Sequence, residues 1–374
     1  MKIISTKLNF KNKIISLIEK NKYKKIFIVT GKKSFKSFQE NLYLPLVSSQ
    51  SRLEIYFKKK NNIYPEYKEL RYLIEKINKF NPDVILAIGG GTVIDYAKLA
   101  NIFSNKKKII YNILKKNAFI NSKKTKLIVI PTTAGSGSEA TRFAVLYINK
   151  KKYSLESNFI IPDYIFLVPN IIINLSKKDK ASSGFDSIAQ SIECLFSKKS
   201  NKKSVKYSLL SLNYSLKYFI SFIEKPTLIN AKKMCLASYY SGKAINIAKT
   251  NLPHSLSYFF TSHLRIPHGQ AVSLFFLKIL KFYYSCIKNF DRNSTINLRF
   301  KLLFRITKTE NIHQLLFYLK TIIEKAKLTL TIKKLENNSF LRKVVKSINK
   351  ERLNNCLIDL TKNDILNILS TKKI

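Results

Sequence analysis

Apolar and polar positions in the first half of the chain follow two alternating periods. Short apolar runs at Lys25–Thr30 (KIFIVT), Leu53–Phe57, Val84–Ile88 and Lys126–Ile130 read as buried strands. Between them, Glu66–Phe80 places Leu70, Leu73, Ile74 and Ile77 at helical spacing, and Val93–Phe103 reads as a second helix. Residues 1–24 read as a lead-in with a short amphipathic helix. Strand, helix, strand, helix, strand predicts an α/β unit with a largely parallel sheet. Phe143–Ile148 and Tyr164–Val168 read as further strands, forming a hairpin edge. After Pro169 the period changes: Gly184–Phe196, Lys203–Ile223, Asn230–Ile247 and Val272–Phe282 all read as helix. The expected organisation is an α/β domain over 1–173 and an all-helical domain over 174–374, with no internal repeat.

The chain is organised around DVILAIGGGTVIDYAK, Asp83 to Lys98, where an apolar run meets Gly89, Gly90 and Gly91 and then a helix. Glycines let a backbone approach a phosphate closely, and a helix N-terminus offers free N–H groups and a favourable dipole. A tight βα turn asks for the same residues, so the motif alone is ambiguous. Scarcity sharpens it. The chain has nine glycines, where average usage gives about three times as many. Three are here and two more, Gly135 and Gly137, lie in PTTAGSGSEAT. Both glycine loops fall at the carboxyl ends of predicted strands, where such sheets bind ligands.

Composition narrows the class. At 45% hydrophobic and 12% aromatic the chain is globular. It has no run of about eighteen apolar residues that would span a membrane, and its N-terminus is a poor secretory signal. Four scattered cysteines, with no C-x-x-C pair, fit a reducing compartment. A cytoplasmic location is expected. The net charge of +46 comes from 68 Lys+Arg against 22 Asp+Glu. The lysines lie in short clusters along the whole chain, with no zinc-finger or RRM-type motif, so no specific nucleic-acid partner is expected. The field would still favour an anionic substrate.

The helical half holds a second cluster. Of four histidines, His254, His263 and His268 fall within fifteen residues. Upstream, GFDSIAQSIE puts Asp186 and Gln190 at i and i+4 on one helix face. Asp186, His254 and His268 would suit Fe²⁺ or Zn²⁺ with positions left open for a substrate oxygen. Spacing alone is equally compatible with core or surface histidines.

GGGTVIDYAK, PTTAGSGSEAT, GFDSIAQSIE and the His254/His268 pair, in this order, resemble the iron-containing (group III) alcohol dehydrogenase family. The resemblance covers nearly the whole chain and weakens over the last hundred residues. It implies the dehydroquinate synthase-like fold: an N-terminal dinucleotide-binding α/β domain and an all-α C-terminal domain, with nucleotide and metal facing each other across a cleft. By position it implies that Gly89, Gly90, Gly91 and Thr92 cradle the pyrophosphate of NAD(P)H, with Asp95 nearby. Thr132, Thr133, Ser136, Thr141 and Lys152 match further nucleotide-contacting positions. Asp186, His254 and His268 match three metal ligands, and Gln190 stands where the family usually has a fourth, histidine. A glutamine oxygen is a poorer ligand for a borderline metal. The family's second histidine, four residues after the first, is here Tyr258, so the resemblance implies that a proton-relay role passes to Tyr258 or to water. Dimers are common in the family.

Lys243 to Tyr258, with the Gln190 context, resembles the phosphonoacetaldehyde reductase (2-hydroxyethylphosphonate dehydrogenase) branch of that family. That implies reduction of an anionic aldehyde, with Lys249, Arg265 and Arg142 as candidate partners for the phosphonate. Gly31, Lys32 and Lys33 follow the first strand where an acidic residue would select NAD, which leans the cofactor towards NADPH. A general alcohol or glycerol dehydrogenase is the neighbouring alternative. A dehydroquinate synthase-like lyase would use a Glu/His/His metal set, which Asp186 argues against. A non-catalytic basic binding protein is the remaining class.

Overall fold

The computed structural model describes residues 2–5, 10–47, 51–59, 63–103, 109, 120, 122–289 and 294–371. The chain divides into two compact units, Met1–Leu175 and Ser176–Ile374.

The first unit is built on a six-stranded sheet in the order β1-β8-β5-β4-β2-β3, every pair parallel. Its strands are β1 (Lys2–Ser5), β2 (Lys25–Gly31), β3 (Arg52–Lys58), β4 (Val84–Gly89), β5 (Lys126–Pro131) and β8 (Tyr164–Leu167). Its helices are α1 (Phe10–Lys20), α2 (Lys32–Phe38), α3 (Leu44–Val47), α4 (Tyr67–Phe80), α5 (Gly91–Ile102) and α6 (Pro169–Ile173). All six residues of β4 are buried. Ile85 and Ala87 join a core with Leu73, Ile77 and Leu99, while Val84, Leu86 and Ile88 join another with Ile14, Ile18 and Phe166. A strand covered on both faces reads as a continuous apolar run, which is why VILAI was legible.

Two sequence expectations need correction here. Phe143–Ile148 (β6) does form an antiparallel hairpin, but with β7, Lys151–Glu156. Tyr164–Leu167 is instead a parallel strand between β1 and β5. The polar stretch KKYSLE carries no apolar run to announce a strand. The helix expected from Val93 begins at Gly91, with Gly90 as its N-cap.

The second unit is helical: α7 (Lys177–Leu195), α8 (Lys202–Glu224), α9 (Leu228–Ala248), α10 (Leu252–Leu264), α11 (His268–Ser285), α12 (Thr295–Thr307), α13 (Ile312–Lys325), α14 (Asn338–Lys346), α15 (Lys350–Leu353) and α16 (Lys362–Ser370). Side chains start several of them. Ser176 caps α7, and Asn201 with Ser204 and Thr227 with Asn230 form capping boxes on α8 and α9. From Lys180 on, every residue of α7 except Ser183 is buried. It packs against α8, α9 and α11, and a helix buried nearly all round is a central one. Among the described residues, no helix is long and apolar enough to cross a membrane.

Candidate nucleotide loops and metal centre

In the first unit the order of strand addition reverses at β2: β3 lies on one side of it and β4 on the other. Ligands bind outside the carboxyl ends of strands at such a switch point. Three segments meet there. The Thr132 N–H donates to Gly89 O at 3.0 Å, and the Ser34 and Thr132 hydroxyls lie 3.1 Å apart. A Cβ on Gly91 would sit 2.7 Å from Ser136 Oγ, and one on Gly90 would sit 3.2 Å from Thr133 Oγ1. Gly91, and less tightly Gly90, pack closely against the second loop, and the N-terminus of α5 opens beside Thr133 and Ser136.

Several residues expected at the nucleotide also make hydrogen bonds that brace these loops. Asp95 is buried and accepts from Ser138 Oγ at 2.6 Å and from the Val145 N–H at 3.0 Å. Burial pushes its pKa up, against the charges of Lys98 and Lys152. Thr141 is buried, and its hydroxyl lies 3.1 Å from Lys98 Nζ. Thr92 Oγ1 donates to Ile63 O at 3.0 Å. Lys152 sits half-buried on β7, opposite Tyr147. Sequence reasoning missed Lys98. It is fully buried, and its ammonium also donates to the carbonyls of Thr141 and Phe143, each at 2.8 Å, and to that of Ser138. Burial lowers its pKa to about 8, opposed by the Asp95 and Glu139 carboxylates. Its place three residues after Asp95, on an otherwise apolar helix, was the available signal.

In the second unit, Asp186, His254 and His268 each offer a ligand atom, all within 4.8 Å of one another. Asp186 comes from the middle of α7, His254 from the first turn of α10 and His268 from the first residue of α11. Asp186 Oδ1 lies 3.1 Å from His254 Nε2 and 3.9 Å from His268 Nε2. Ligand bonds of 2.0–2.1 Å in a tetrahedron place neighbouring donors about 3.3 Å apart, so the trio fits a cation of that size. The outer nitrogens are tied off. His254 Nδ1 is bonded to the buried Glu193 carboxylate. Ser257 Oγ donates to His254 O at 2.7 Å and so accepts from His268 Nδ1 at 3.3 Å. Both Nε2 atoms are thereby turned to Asp186, the outer-partner arrangement that orients metal-binding imidazoles. Burial opposes a charge on His254, but Glu193 and Asp186 outweigh it and hold its pKa up at about 10. A cation binding here would displace the Nε2 proton.

Glu193 was missed, although it follows Asp186 by seven residues on the same helix face and closes the GFDSIAQSIE motif. Its other oxygen accepts from the Asn251 N–H at 2.8 Å, fixing the entry to α10. Gln190 donates from Nε2 to Asp186 Oδ2 at 3.3 Å, and its Oε1 accepts from Ser241 Oγ at 3.0 Å. The Tyr258 ring stacks on His268, centroids 6.0 Å apart. Lys249, expected beside a substrate anion, pairs with Glu351 Oε1 at 2.7 Å. Arg142 pairs with Glu156 at 2.8 Å. Arg265 is exposed at the end of α10, in the left-handed region at φ 57.

A family model described as iron-containing alcohol dehydrogenase matches residues 5–169. Another, described as the C-terminal part of the Fe-containing alcohol dehydrogenase family, matches residues 180–372. The chain is 28% identical to 4-hydroxybutyrate dehydrogenase of Clostridium kluyveri, over 69% of this chain and 71% of that protein. It is 27% identical to phosphonoacetaldehyde reductase of Streptomyces viridochromogenes, over 56% of this chain and 55% of that protein. Among solved structures, the iron-containing alcohol dehydrogenase of Thermococcus thioreducens superposes with a TM-score of 0.85 at 19% identity, covering 99% of this chain and 97% of that one. Sulfoacetaldehyde reductase of Bifidobacterium kashiwanohense, in complex with NAD⁺, superposes with a TM-score of 0.84 at 22% identity, covering 100% and 98%. At such identities these two likenesses bear on the fold. The two family models together span nearly the whole chain, and the chain belongs to the iron-containing alcohol dehydrogenase family of oxidoreductases.

Proposed function

We propose that this chain is a metal-dependent NAD(P)H oxidoreductase that reduces a short anionic aldehyde to its alcohol, with phosphonoacetaldehyde as the first candidate. The observation that carries the metal-dependent reading is the Asp186, His254 and His268 trio, with both histidines' outer nitrogens engaged and both Nε2 atoms turned inward. A carboxylate with two imidazoles suits Fe²⁺ or Zn²⁺. Bound NAD(P)H supplies a hydride to the carbonyl carbon, and the cation supplies Lewis acidity at the carbonyl oxygen.

The chain's own residues do the rest. Gly89 to Thr92 and Thr132 to Ser136 take the dinucleotide phosphates on backbone N–H groups, with Asp95, Lys98 and Thr141 bracing the two loops behind them. Gly31, Lys32 and Lys33, at the carboxyl end of β2, leave a 2′-phosphate unopposed and favour NADPH. Tyr258, stacked on His268, holds the proton that the product oxygen takes up.

An anionic substrate is supported by the +46 net charge and by relatives named for 4-hydroxybutyrate and phosphonoacetaldehyde. Arg265, at the end of α10 and three residues before His268, is the cation assigned to the substrate anion. The test is His268→Ala. It should lose aldehyde reduction while still binding NAD(P)H, measured by nucleotide fluorescence; turnover at the wild-type rate would refute the assignment. Equal kcat/KM for acetaldehyde and phosphonoacetaldehyde would favour a general alcohol dehydrogenase.

A further inference from the structure

Gln190 lies one turn after Asp186 on α7, on the face that carries the metal-binding carboxylate. Its amide has two sides with opposite chemistry. The Nε2 side faces Asp186 Oδ2 at 3.3 Å, and the Oε1 side faces the Ser241 hydroxyl of α9 at 3.0 Å. All three residues are buried.

The charge on Asp186 decides which way the amide lies. An ionised carboxylate only accepts, so the neighbouring amide must present N–H to it. In the site without a cation, turning the amide round would set two acceptor oxygens against each other, with no proton between them. It would also forfeit a charge-assisted hydrogen bond. To serve as a metal ligand, Gln190 must make that turn, because its oxygen is the only atom it can offer a cation.

We infer that Gln190 is a positioning residue for Asp186 rather than a fourth metal ligand, and that the centre is a three-ligand set of Asp186, His254 and His268. Ser241 Oγ shares its proton between the Gln190 oxygen at 3.0 Å and the Ser238 carbonyl at 2.9 Å, Gln190 holds Asp186 Oδ2, and Oδ1 is left directed at the two histidines. Glu193 performs the matching task for His254 on the opposite side. The centre is thus clamped between two outer partners on one helix, three residues apart, one neutral and one anionic. A neutral donor at position 190 adds no charge to the site. Two imidazoles and one carboxylate leave more positions open than a four-ligand protein cage does.

This inference rests on the metal reading above, and its test separates the two. The metal is stripped from the full-length protein, and Co²⁺ is titrated in against a competing chelator while the visible d–d bands are recorded. Gln190→Ala and the milder Ser241→Ala, which removes only a hydroxyl one residue from any ligand, are compared with wild type. Both variants should bind Co²⁺ about 10–100-fold more weakly, the usual loss for an outer partner. Their d–d bands should keep wild-type positions and intensity, because the set of coordinating atoms has not changed. Shifted bands in Gln190→Ala would overturn the inference by showing that an amide oxygen left the coordination sphere. Unchanged affinity in both variants would overturn it by showing that nothing is positioned. If wild type takes up no Co²⁺, the metal reading itself falls, and this inference with it.

Discussion

Gly269 is the position where one methyl group should do most damage. It follows His268 at the start of α11, where that helix crosses α7. A Cβ there would lie 1.9 Å from the Ser182 carbonyl oxygen and 3.2 Å from Asp186 Cβ. Reaching ordinary contact at about 3.5 Å requires the two backbones to part by about 1.6 Å. Overpacking costs about 1–3 kcal/mol and sometimes more, and a clash with helix backbone belongs at the upper end, about 3 kcal/mol. At about 2–4 °C per kcal/mol for a unit of this size, Tm should fall by about 6–12 °C. Metal binding should suffer more. The two helices carry Asp186 and His268, and a site tolerates errors of only about 0.2 Å. Calorimetric unfolding of metal-free Gly269→Ala, with Co²⁺ titration of the same sample, checks both effects. Gly31→Ala is the control: the nearest atom to its Cβ is Ser34 Oγ at 4.0 Å, its φ is −108, and no loss is expected. A Gly269→Ala protein with wild-type Tm and wild-type Co²⁺ affinity would refute the close crossing and the reasoning built on it.

Other outcomes follow from the same geometry. Glu193→Gln keeps the shape but removes the anion behind His254, and metal affinity should drop about 10–100-fold by chelator competition. Lys98→Met leaves three buried carbonyls without their donor and should cost about 1–3 kcal/mol in denaturant unfolding. Lys98 also gives a pH signature. Its folded pKa of about 8 lies below its ordinary 10.5, so its contribution is fully favourable above 10.5 and is lost as pH falls through 8. Wild type should therefore gain stability over Lys98→Met between about pH 8 and pH 10.5. Gly91→Ala, whose Cβ would press Ser136 Oγ at 2.7 Å, should weaken NAD(P)H binding at least about tenfold, given that a displaced loop loses several N–H contacts. Its metal content, read by atomic absorption, should be unchanged.

What the sequence made legible is what a single element carries by itself. VILAI is apolar because β4 is covered on both faces, and the glycines after it stand out in a glycine-poor chain. The spacing of Asp186 and Gln190, and the pair His254 and His268, could be seen because metal-ligand types are rare here. What stayed hidden depends on partners distant in the chain. Strand β7 is polar and exists because β6 lies opposite it. Ser241 matters because α9 brings it to Gln190, 51 residues earlier in the chain. Lys98 looked like one lysine among many until its three carbonyl partners appeared. Lys249 looked like a substrate cation until α15 brought Glu351 to it. Glu193 is the exception: its helical spacing from Asp186 was present, but an acidic residue on a helix carries no local sign of the histidine it will hold.

The central claim, that a cation on Asp186, His254 and His268 makes this chain an aldehyde reductase, is tested most directly by NADPH oxidation with phosphonoacetaldehyde through one cycle of chelation and re-addition of Fe²⁺ or Zn²⁺. Turnover should vanish on chelation, return with the metal in wild type, and never return in His268→Ala. Turnover that chelation leaves untouched would contradict the claim.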